Sequence, residues 1–549
     1  MYVLGINGWD KGVHDSSASL FYQGKLLAAA EEERFIRRKK AFDTPPFHSI
    51  AYCLHEAGIT ADDIDYIALG WDVTKLEVEY GGKHGLTSKD IMGRVFPRHI
   101  FSRKKDPELH IYPHHQAHAA GAYYSSGFEE AAILVVDGSG EEESITIAKG
   151  EKGKIDYIEV YPLESSLGIF YEGLSKYIGL GRFREGKTMG LSSYGAWDGD
   201  VPLIVNQYDE NKRTYHQILK DWIMYFHKKF GEKVNSANYY YDSKQAKLCD
   251  ELDALSYKHV AAFGQKALEK NLIYLAKRAL ELTGCSRICL SGGVGLNCVG
   301  NRELLELEEV KDIFIQPAAS DAGTSLGAGA LLSKELGFEV TLSKDHVYSG
   351  PNFSDGDIKN LLEQYKIKYE FFETGINEAA VQLLKKGKVG ARFAGRMEFG
   401  PRALGNRSIL ANPQSENMLQ KVNDIKEREQ WRPLAPSISA ENQALAIKEE
   451  TASPYMLLNA TIHESSRELL QAVTHIDGST RPQIVDKETN LSYWELIQCF
   501  YEETGIPAVL NTSFNIGNEP IVCSPKDAIR SFFSSELDFL ILNHFFIKK

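Results

Sequence analysis

One local pattern occurs twice before residue 162 and restricts the fold more than any other feature of the chain. An apolar strand at residues 2–6 (YVLGI) runs into a polar turn carrying Asp10, His14, Asp15, Ser16 and Ser17, and strands at 18–22 and 25–30 follow around Gly24. The plan returns at 131–136 (AAILVV), with the turn DGSG at 137–140 and strands at 144–149 and 155–161 around Gly153. A strand, a turn rich in Gly, Asp and Ser, and an antiparallel pair make one supersecondary unit, and its recurrence as a pattern predicts an internal duplication. Helices are predicted over 47–58, 115–123, 166–178 and 246–283. Strands at 288–290 and 313–315 each stop at a Gly-rich turn, SGGVGLN (291–297) and PAASDAGTSLGAGA (317–330). A strand ending at such a turn before a helix presents backbone N–H groups to phosphate. The Gly/Ala spacing of the second turn predicts a helix packed close to another backbone or a ligand.

A chain of 549 residues holds more than one domain. The segment at 342–357, containing SGPNFSDGD, reads as a transition and puts a boundary near residue 350, with further strands at 388–393 and 508–510. A formal net charge of −13 argues against a generic nucleic-acid binder, whose footprint is a basic face. The start meets Asp10 before any long apolar stretch, unlike a secretory leader, and no apolar run approaches the length of a membrane span. Seven scattered cysteines without a C-x-x-C fit a reduced, cytoplasmic compartment and not a cysteine-held zinc.

Between 395 and 436 the acidic chain concentrates cations: GRMEFGPRALGNRSIL (395–410) and IKEREQWRPLAP (425–436) bring Arg396, Arg402, Arg407, Lys426, Arg428 and Arg432 among Gly, Pro and aromatic residues. Guanidinium forks match phosphate and carboxylate in a bidentate way, so this segment reads as a pocket for phosphate or nucleotide. For Arg407 and Arg428 a structural pair with a nearby Glu is an equal reading.

Histidines cluster in HIYPHHQAHAAGAYY (110–124). On a helix starting near Pro113, His114 and His118 stand one turn apart on one face and can share a metal, while His115 faces elsewhere. A carboxylate must complete the set, and Asp137 and Asp321 each follow a strand in a Gly-containing turn. Two imidazoles plus carboxylate suit iron(II), zinc or manganese. His14, in a turn beside Asp10 and Asp15, is a candidate general base.

These blocks, GVHDSSASL, HHQAHAAGAYY, VVDGSG, EGKTMGLSSYG, SGGVGLNC, SDAGTSLGAGA, the two cationic segments, HIDGSTRPQ and LNTSFN, occur in an order that resembles the O-carbamoyltransferases of the nodulation and antibiotic-tailoring type, including cephalosporin and tobramycin carbamoyltransferases. The resemblance spans almost the whole chain. It implies an α/β protein whose residues 1–345 form a duplicated actin-like ATPase fold, related to the tRNA threonylcarbamoyl transferase, that performs transfer. Residues 350–549 would form a YrdC-like α/β domain that makes carbamoyl adenylate.

The reaction implied is ATP-dependent movement of a carbamoyl group from carbamoyl phosphate, through carbamoyl-AMP, to a hydroxyl of a small molecule. The resemblance implies metal at His114, His118 and Asp321 with Asp137 close by, iron(II) being the family's usual ion. It assigns His14 as base and Lys39 to the acceptor side. Glu185, Lys187, Gly292, Gly293 and Asn297 would bind the nucleotide or adenylate. Arg396, Arg402, Lys426, Arg432, Arg481 and Ser513 would bind carbamoyl phosphate and ATP. No nucleic-acid or membrane partner is expected, and a homodimer is the base-rate expectation.

Three other readings compete. A threonylcarbamoyl-AMP-type tRNA-modifying enzyme shares the folds, though the acidic charge disfavours tRNA docking. A metal-dependent hydrolase would not explain the arginine segment. A non-catalytic nucleotide-binding regulator would not turn over carbamoyl phosphate. The acceptor stays open among a sugar, an aminoglycoside, a nucleoside and a polyketide hydroxyl. Loops at 74–107 and 199–241, whose tyrosines and tryptophan suit a ring-bearing molecule, are expected to shape its pocket.

Overall fold

A computed structural model describes residues 1–79, 82, 85–206, 213–231, 257–340, 342–450 and 453–549. The chain forms two compact units. Met1–Tyr112, Asp321–Arg428 and Pro433–Lys549 make the first, and Pro113–Ser320 with Glu429–Arg432 the second.

The first unit begins with β1 (Tyr2–Asn7), apolar and buried from its second residue on, and the hairpin β2 (Ser17–Tyr22) and β3 (Lys25–Glu31). With β4 (Tyr66–Leu69) and β5 (Glu108–Ile111) these form a sheet of order β3-β2-β1-β4-β5, antiparallel across the hairpins and parallel from β1 outward to β5. Helix Phe47–Glu56 packs on β2 and β3, and helix Ala322–Glu335 packs on β1, β2 and β4. The second contact explains the Gly/Ala spacing of that helix. Ser17 Oγ donates to Ala322 O at 2.7 Å and Ser19 Oγ to Ser325 O at 2.9 Å. A Cβ on Gly5 would lie 2.0 Å from Ser325 O, so strand and helix meet backbone to backbone.

The second unit repeats the plan. Strands β6 (Glu130–Val136), β7 (Glu143–Glu151), β8 (Lys154–Pro162), β9 (Arg287–Ser291) and β10 (Asp312–Ile315) run in the order β8-β7-β6-β9-β10, again antiparallel across the hairpins and parallel beyond β6. Two sheets of one order and one set of directions establish the duplication expected of an actin-like fold. Helix Leu167–Tyr177 starts where Ser166 Oγ accepts the Ile169 N–H, a cap that fixes its first turn. The long helix expected at 246–283 is present as Lys258–Thr283, and 246–256 lie outside the described residues.

In the first unit, residues 370–548 build a mixed eight-stranded sheet from β11 (Glu370–Phe371), β12 (Gly390–Phe393), β13 (Arg407–Ala411), β14 (Ala435–Ser439), β17 (Gln483–Val485), β18 (Ala508–Ser513), β19 (Phe539–Leu542) and β20 (Phe545–Lys548). Its order is β11-β20-β19-β12-β13-β18-β14-β17, and β15 (Ala460–Thr461) pairs with β16 (Ser479–Thr480) as a separate ribbon. The fully buried Phe393, Ile409, Leu410, Val509, Leu510, Leu540 and Ile541 form its core.

The two stretches expected as acceptor-shaping loops differ from that expectation. Between 74 and 107, helices Val73–Glu79 and Ser88–Val95 form. The second carries a Thr87/Asp90 capping box and buries Ile91, Met92 and Val95. Between 199 and 241, helix Tyr215–Phe230 starts at a Thr214/Gln217 capping box and buries Ile218, Leu219, Trp222, Ile223 and Phe226 at helical spacing. Trp222 stands edge-on to Phe170, 4.9 Å between centroids, so it is core and not a surface for a ring-bearing ligand. Residues 80, 81, 83, 84, 207–212 and 232–241 of these stretches lie outside the described residues. Among the described residues, no helix is long and apolar enough to cross a membrane.

The contact of β1 with helix Ala322–Glu335 leaves no volume for a methyl group. Gly5→Ala is expected to lower the free energy of unfolding by about 3 kcal/mol, the upper part of the usual overpacking range. Chemical denaturation measures this, and an unchanged midpoint would mean that the helix does not rest on β1.

Candidate active site

In the second unit, helix His114–Ser126 starts directly after Pro113, and its first turn carries two fully buried imidazoles. His114 Nε2 and His118 Nε2 face each other at 3.0 Å, and Asp137 Oδ2, at the end of β6, lies 3.4 and 3.6 Å from them. The ligand atoms of the three residues all fall within 4.8 Å of one another. Donors about 2.1 Å from one ion, at angles of 90–110°, stand about 3.0–3.4 Å apart, so this set fits a single divalent transition ion.

The surrounding bonds orient the donors. His118 Nδ1 is 3.1 Å from Ser291 Oγ, which leaves Nε2 as the inward atom when Nδ1 carries the proton. The Gly293 N–H donates to Asp137 Oδ1 at 2.7 Å, which turns Oδ2 toward the imidazoles. Burial alone would raise the Asp137 carboxyl, but hydrogen bonds and charge from His114 and His118 hold it well below the usual range. His115 points away, 2.8 Å from Thr146 Oγ1, and burial keeps its imidazole well below its ordinary value.

The glycines of SGGVGLN serve this geometry. Gly292 has φ +88°, and a Cβ there would lie 2.2 Å from Val136 O, so only glycine lets the turn close over the end of β6. Gly292 and Gly293, expected at the nucleotide, thus bracket Asp137.

His14 lies in the first unit, in the turn after β1, with a quarter of its side chain exposed. Asn7 Nδ2 pins the turn by donating to His14 O at 3.2 Å and Asp15 O at 3.0 Å. His14 Nδ1 is 3.3 Å from Asp15 Oδ2 and 3.7 Å from Asp321 Oδ2. Burial presses the imidazole toward neutrality, but Asp321 and Asp15 outweigh it and raise its pKa. Asp321 directly precedes helix Ala322–Glu335, the helix that β1 seats. Lys40 reaches Asp15 Oδ2 at 2.8 Å, and Lys39, expected on the acceptor side, is exposed on the same short turn. Sequence reasoning passed over Lys40 and Ser291, since neither spacing nor residue type sets them apart from their neighbours.

Asn297, in the second unit, caps helix Cys298–Leu305 and exchanges amide hydrogen bonds with Gln265 at 3.0 and 3.1 Å. Gln265 Oε1 also accepts from Tyr171, and its amide donates to Glu269 at 2.9 Å. Burial, with help from Glu303, lifts the Glu269 carboxyl from 4.5 to about 7. Glu185 opens helix Glu185–Ser192, in which Lys187 pairs with Glu429 at 2.5 Å.

The arginine segment divides. Arg396 donates to Leu27 O, Tyr52 Oη and Ser349 O at 3.1, 3.1 and 2.7 Å, and pairs with Glu56 at 3.2 Å. Arg407 is fully buried over Phe393 and donates to four carbonyls, those of Ala394, Gly395, Asn406 and Pro351. Arg428 Nε donates to Asn423 Oδ1 at 2.6 Å. Lys426 and Ser513 lie in contact. Lys426 Nζ donates to Ser513 O and also contacts Ser513 Oγ, Asn515 O and Asn515 Oδ1 at 3.3, 3.0 and 3.1 Å. Arg481 Nε is buried with no hydrogen-bond partner among the described residues. Arg402 is half-buried in the turn before β13. Arg432 groups with the second unit, beside Glu429 at 3.7 Å.

Comparison with known proteins bears on this geometry. The family described as Carbamoyltransferase N-terminus matches residues 3–330, and Carbamoyltransferase C-terminus matches residues 381–549. The nodulation protein NolNO of Sinorhizobium fredii is 35% identical over 98% of this chain and 79% of its own. The nodulation protein NolO of Bradyrhizobium diazoefficiens is 35% identical over 79% of this chain and 78% of its own. The solved structure of full-length HypF in its phosphate- and nucleotide-bound form superposes with a TM-score of 0.35 at 13% identity, over 62% of this chain and 56% of that one, too slight a likeness to argue from. Fold and matches together define a group-transfer enzyme on a duplicated α/β scaffold. The chain belongs to the carbamoyltransferase family.

Two measurements check the site. The purified protein is expected to carry one divalent transition ion per chain, and His114→Ala and His118→Ala each to lose it, by elemental analysis. For Glu269, a folded-state pKa above the ordinary one means stability is fully present below about pH 4.5 and is lost as pH rises through about 7. Thermal midpoints should therefore fall across that window, and Glu269→Gln should flatten the decline. A Glu269→Gln profile parallel to wild type would exclude this carboxyl as the cause.

Proposed function

We propose that this carbamoyltransferase is ATP-dependent and moves the carbamoyl group of carbamoyl phosphate, through carbamoyl-AMP, onto a hydroxyl of a small molecule such as a natural product or sugar. The observation that carries the reading is the match to both carbamoyltransferase regions in a chain that keeps a buried two-imidazole, one-carboxylate donor set. We assign adenylate formation to residues 350–549, as a YrdC-like domain, and transfer to residues 1–345. In the first step water releases phosphate from carbamoyl phosphate. A carbamate oxygen then attacks the α-phosphorus of ATP and pyrophosphate leaves. In the second step the acceptor oxygen bonds to the carbamoyl carbon, AMP leaves with the bridging oxygen, and the hydroxyl proton passes to His14.

Each group has a physical task. Lys426, Ser513, Arg402 and Arg481 meet the charge of carbamoyl phosphate and ATP, and the orphaned Arg481 Nε is a donor ready for an anion. His114, His118 and Asp137 would hold a divalent ion, iron(II) by family resemblance, which when bound supplies a Lewis acid for phosphate and carbonyl oxygen. Asp15 orients His14. The reactants are metabolites of the cytoplasm, where we place the enzyme.

The test is product analysis with ATP and carbamoyl phosphate. Pyrophosphate and AMP should appear only when both are present. Lys426→Ala should abolish both products. His14→Asn should leave carbamoyl-phosphate-dependent ATP–pyrophosphate exchange intact and slow carbamoylation of a candidate alcohol by about 10²–10⁴-fold, the usual worth of a general base. An enzyme that consumes no ATP under these conditions would end this reading.

A further inference from the structure

The four residues Glu429–Arg432 leave the grouping of their flanks and pack with the second unit. The Tyr194 hydroxyl donates to Trp431 O at 2.9 Å and the Trp431 side chain is buried, so the segment is pinned there. The Glu429 carboxylate then stands 2.5 Å from Lys187 Nζ and 3.7 Å from Arg432 Nη1. Arg184 is, with Arg432, one of two positive neighbours of Lys187, whose N–H donates to Arg184 O at 2.7 Å. Lys187 and Glu429 are only 17% and 21% exposed. Burial presses the Lys187 ammonium to give up its proton, and its bond to Glu429 opposes that pressure.

Lys187 and Arg432 therefore share one carboxylate in a half-desolvated place, with Arg184 adding positive charge beside Lys187. A carboxylate offers two oxygens and one charge, while a terminal phosphate offers three oxygens and more charge to the same donors. A buried cation left unpaired is costly, so an internal acid keeps such a place intact until a stronger anion arrives. We propose that Glu429 is the displaceable occupant of a phosphate site made by Lys187, Arg432 and Arg184, and that the phosphoryl group of an adenosine nucleotide takes its position. This rests on the reading of Lys187 as a nucleotide-binding residue. The internal carboxylate lowers affinity for every phosphate by the work of parting it from Lys187, and it reoccupies the site as the nucleotide leaves. The spent AMP is thereby kept from lingering.

Calorimetric titration with AMP at fixed, low ionic strength tests the proposal. Glu429→Gln keeps the shape and removes the charge, and should tighten AMP binding about tenfold. Adding Lys187→Met to that variant should cancel the gain. Glu429→Asp, whose shorter arm weakens the pair, should fall between, and it serves if Glu429→Gln lowers the thermal midpoint. A gain of affinity is not an outcome that structural damage produces. Equal or weaker AMP binding by folded Glu429→Gln overturns the proposal, and so does a gain confined to carbamoyl phosphate or inorganic phosphate in parallel titrations. Absence of AMP binding by wild type and variants alike would instead remove the nucleotide reading on which the proposal stands.

Discussion

The contact between β1 and helix Ala322–Glu335 decides where the first unit's candidate chemistry sits. A helix approaches a strand at backbone distance only where both surfaces lack side chains. Here Gly5 on the strand faces Ser325 on the helix, with Ser17 and Ser19 donating hydrogen bonds across the gap. These bonds fix the helix along its axis, and so fix Asp321, which directly precedes it. The turn that follows β1 carries His14. Strand register and helix position together bring His14 Nδ1 and Asp321 Oδ2 to 3.7 Å. The distance follows from the packing of small residues, and no residue of the turn needs to supply it.

Around that turn the backbone is held in conformations it would not choose. Asp15, Arg37, Lys40, Ala41 and Asp43 all have φ between +39° and +68°, although none is glycine. Such strain persists only where surrounding bonds over-determine the geometry. Those bonds are present. Asp15 N–H donates to Lys40 O at 2.7 Å, Lys40 Nζ returns to Asp15 Oδ2, and Lys40 N–H donates to Glu33 Oε2 at 2.6 Å. Glu33 pairs with buried Arg34 at 2.5 Å, and Arg34 also holds Glu31 at 2.7 Å and Gly400 O at 2.8 Å. Burial would strip Arg34 of its charge, but Glu31 and Glu33 keep it ionised. A continuous run of charged bonds thus joins Gly400, inside the arginine segment, to the neighbour of His14.

The same run shows what the sequence could and could not disclose. The duplication was legible because strand and turn patterns are local: β1 to β3 and β6 to β8 form where the apolar runs and Gly turns place them. The metal-donor set was legible in part, since His114 and His118 share a helix face, whereas Ser291 and the Gly293 N–H orient it from residues more than 150 positions away. The stretches at 74–107 and 199–241 misled because aromatic composition does not distinguish a ligand surface from the buried face of a helix such as Tyr215–Phe230.

The arginine segment marks the limit most clearly. Unusual density of arginine announces that guanidinium groups are wanted, but where no anion competes a backbone carbonyl accepts from them too. Arg407 directs its two Nη groups to four backbone carbonyls and lies over Phe393, and burial draws it down to about 10. Arg396 binds three oxygens and Glu56. These two brace the segment from within, while Lys426 is held by the carbonyl and side-chain oxygens of Ser513 and Asn515. Cations that the sequence presents as one block therefore differ in how many carbonyls the fold turns toward each. That number belongs to the tertiary structure and has no trace in the spacing of the arginines.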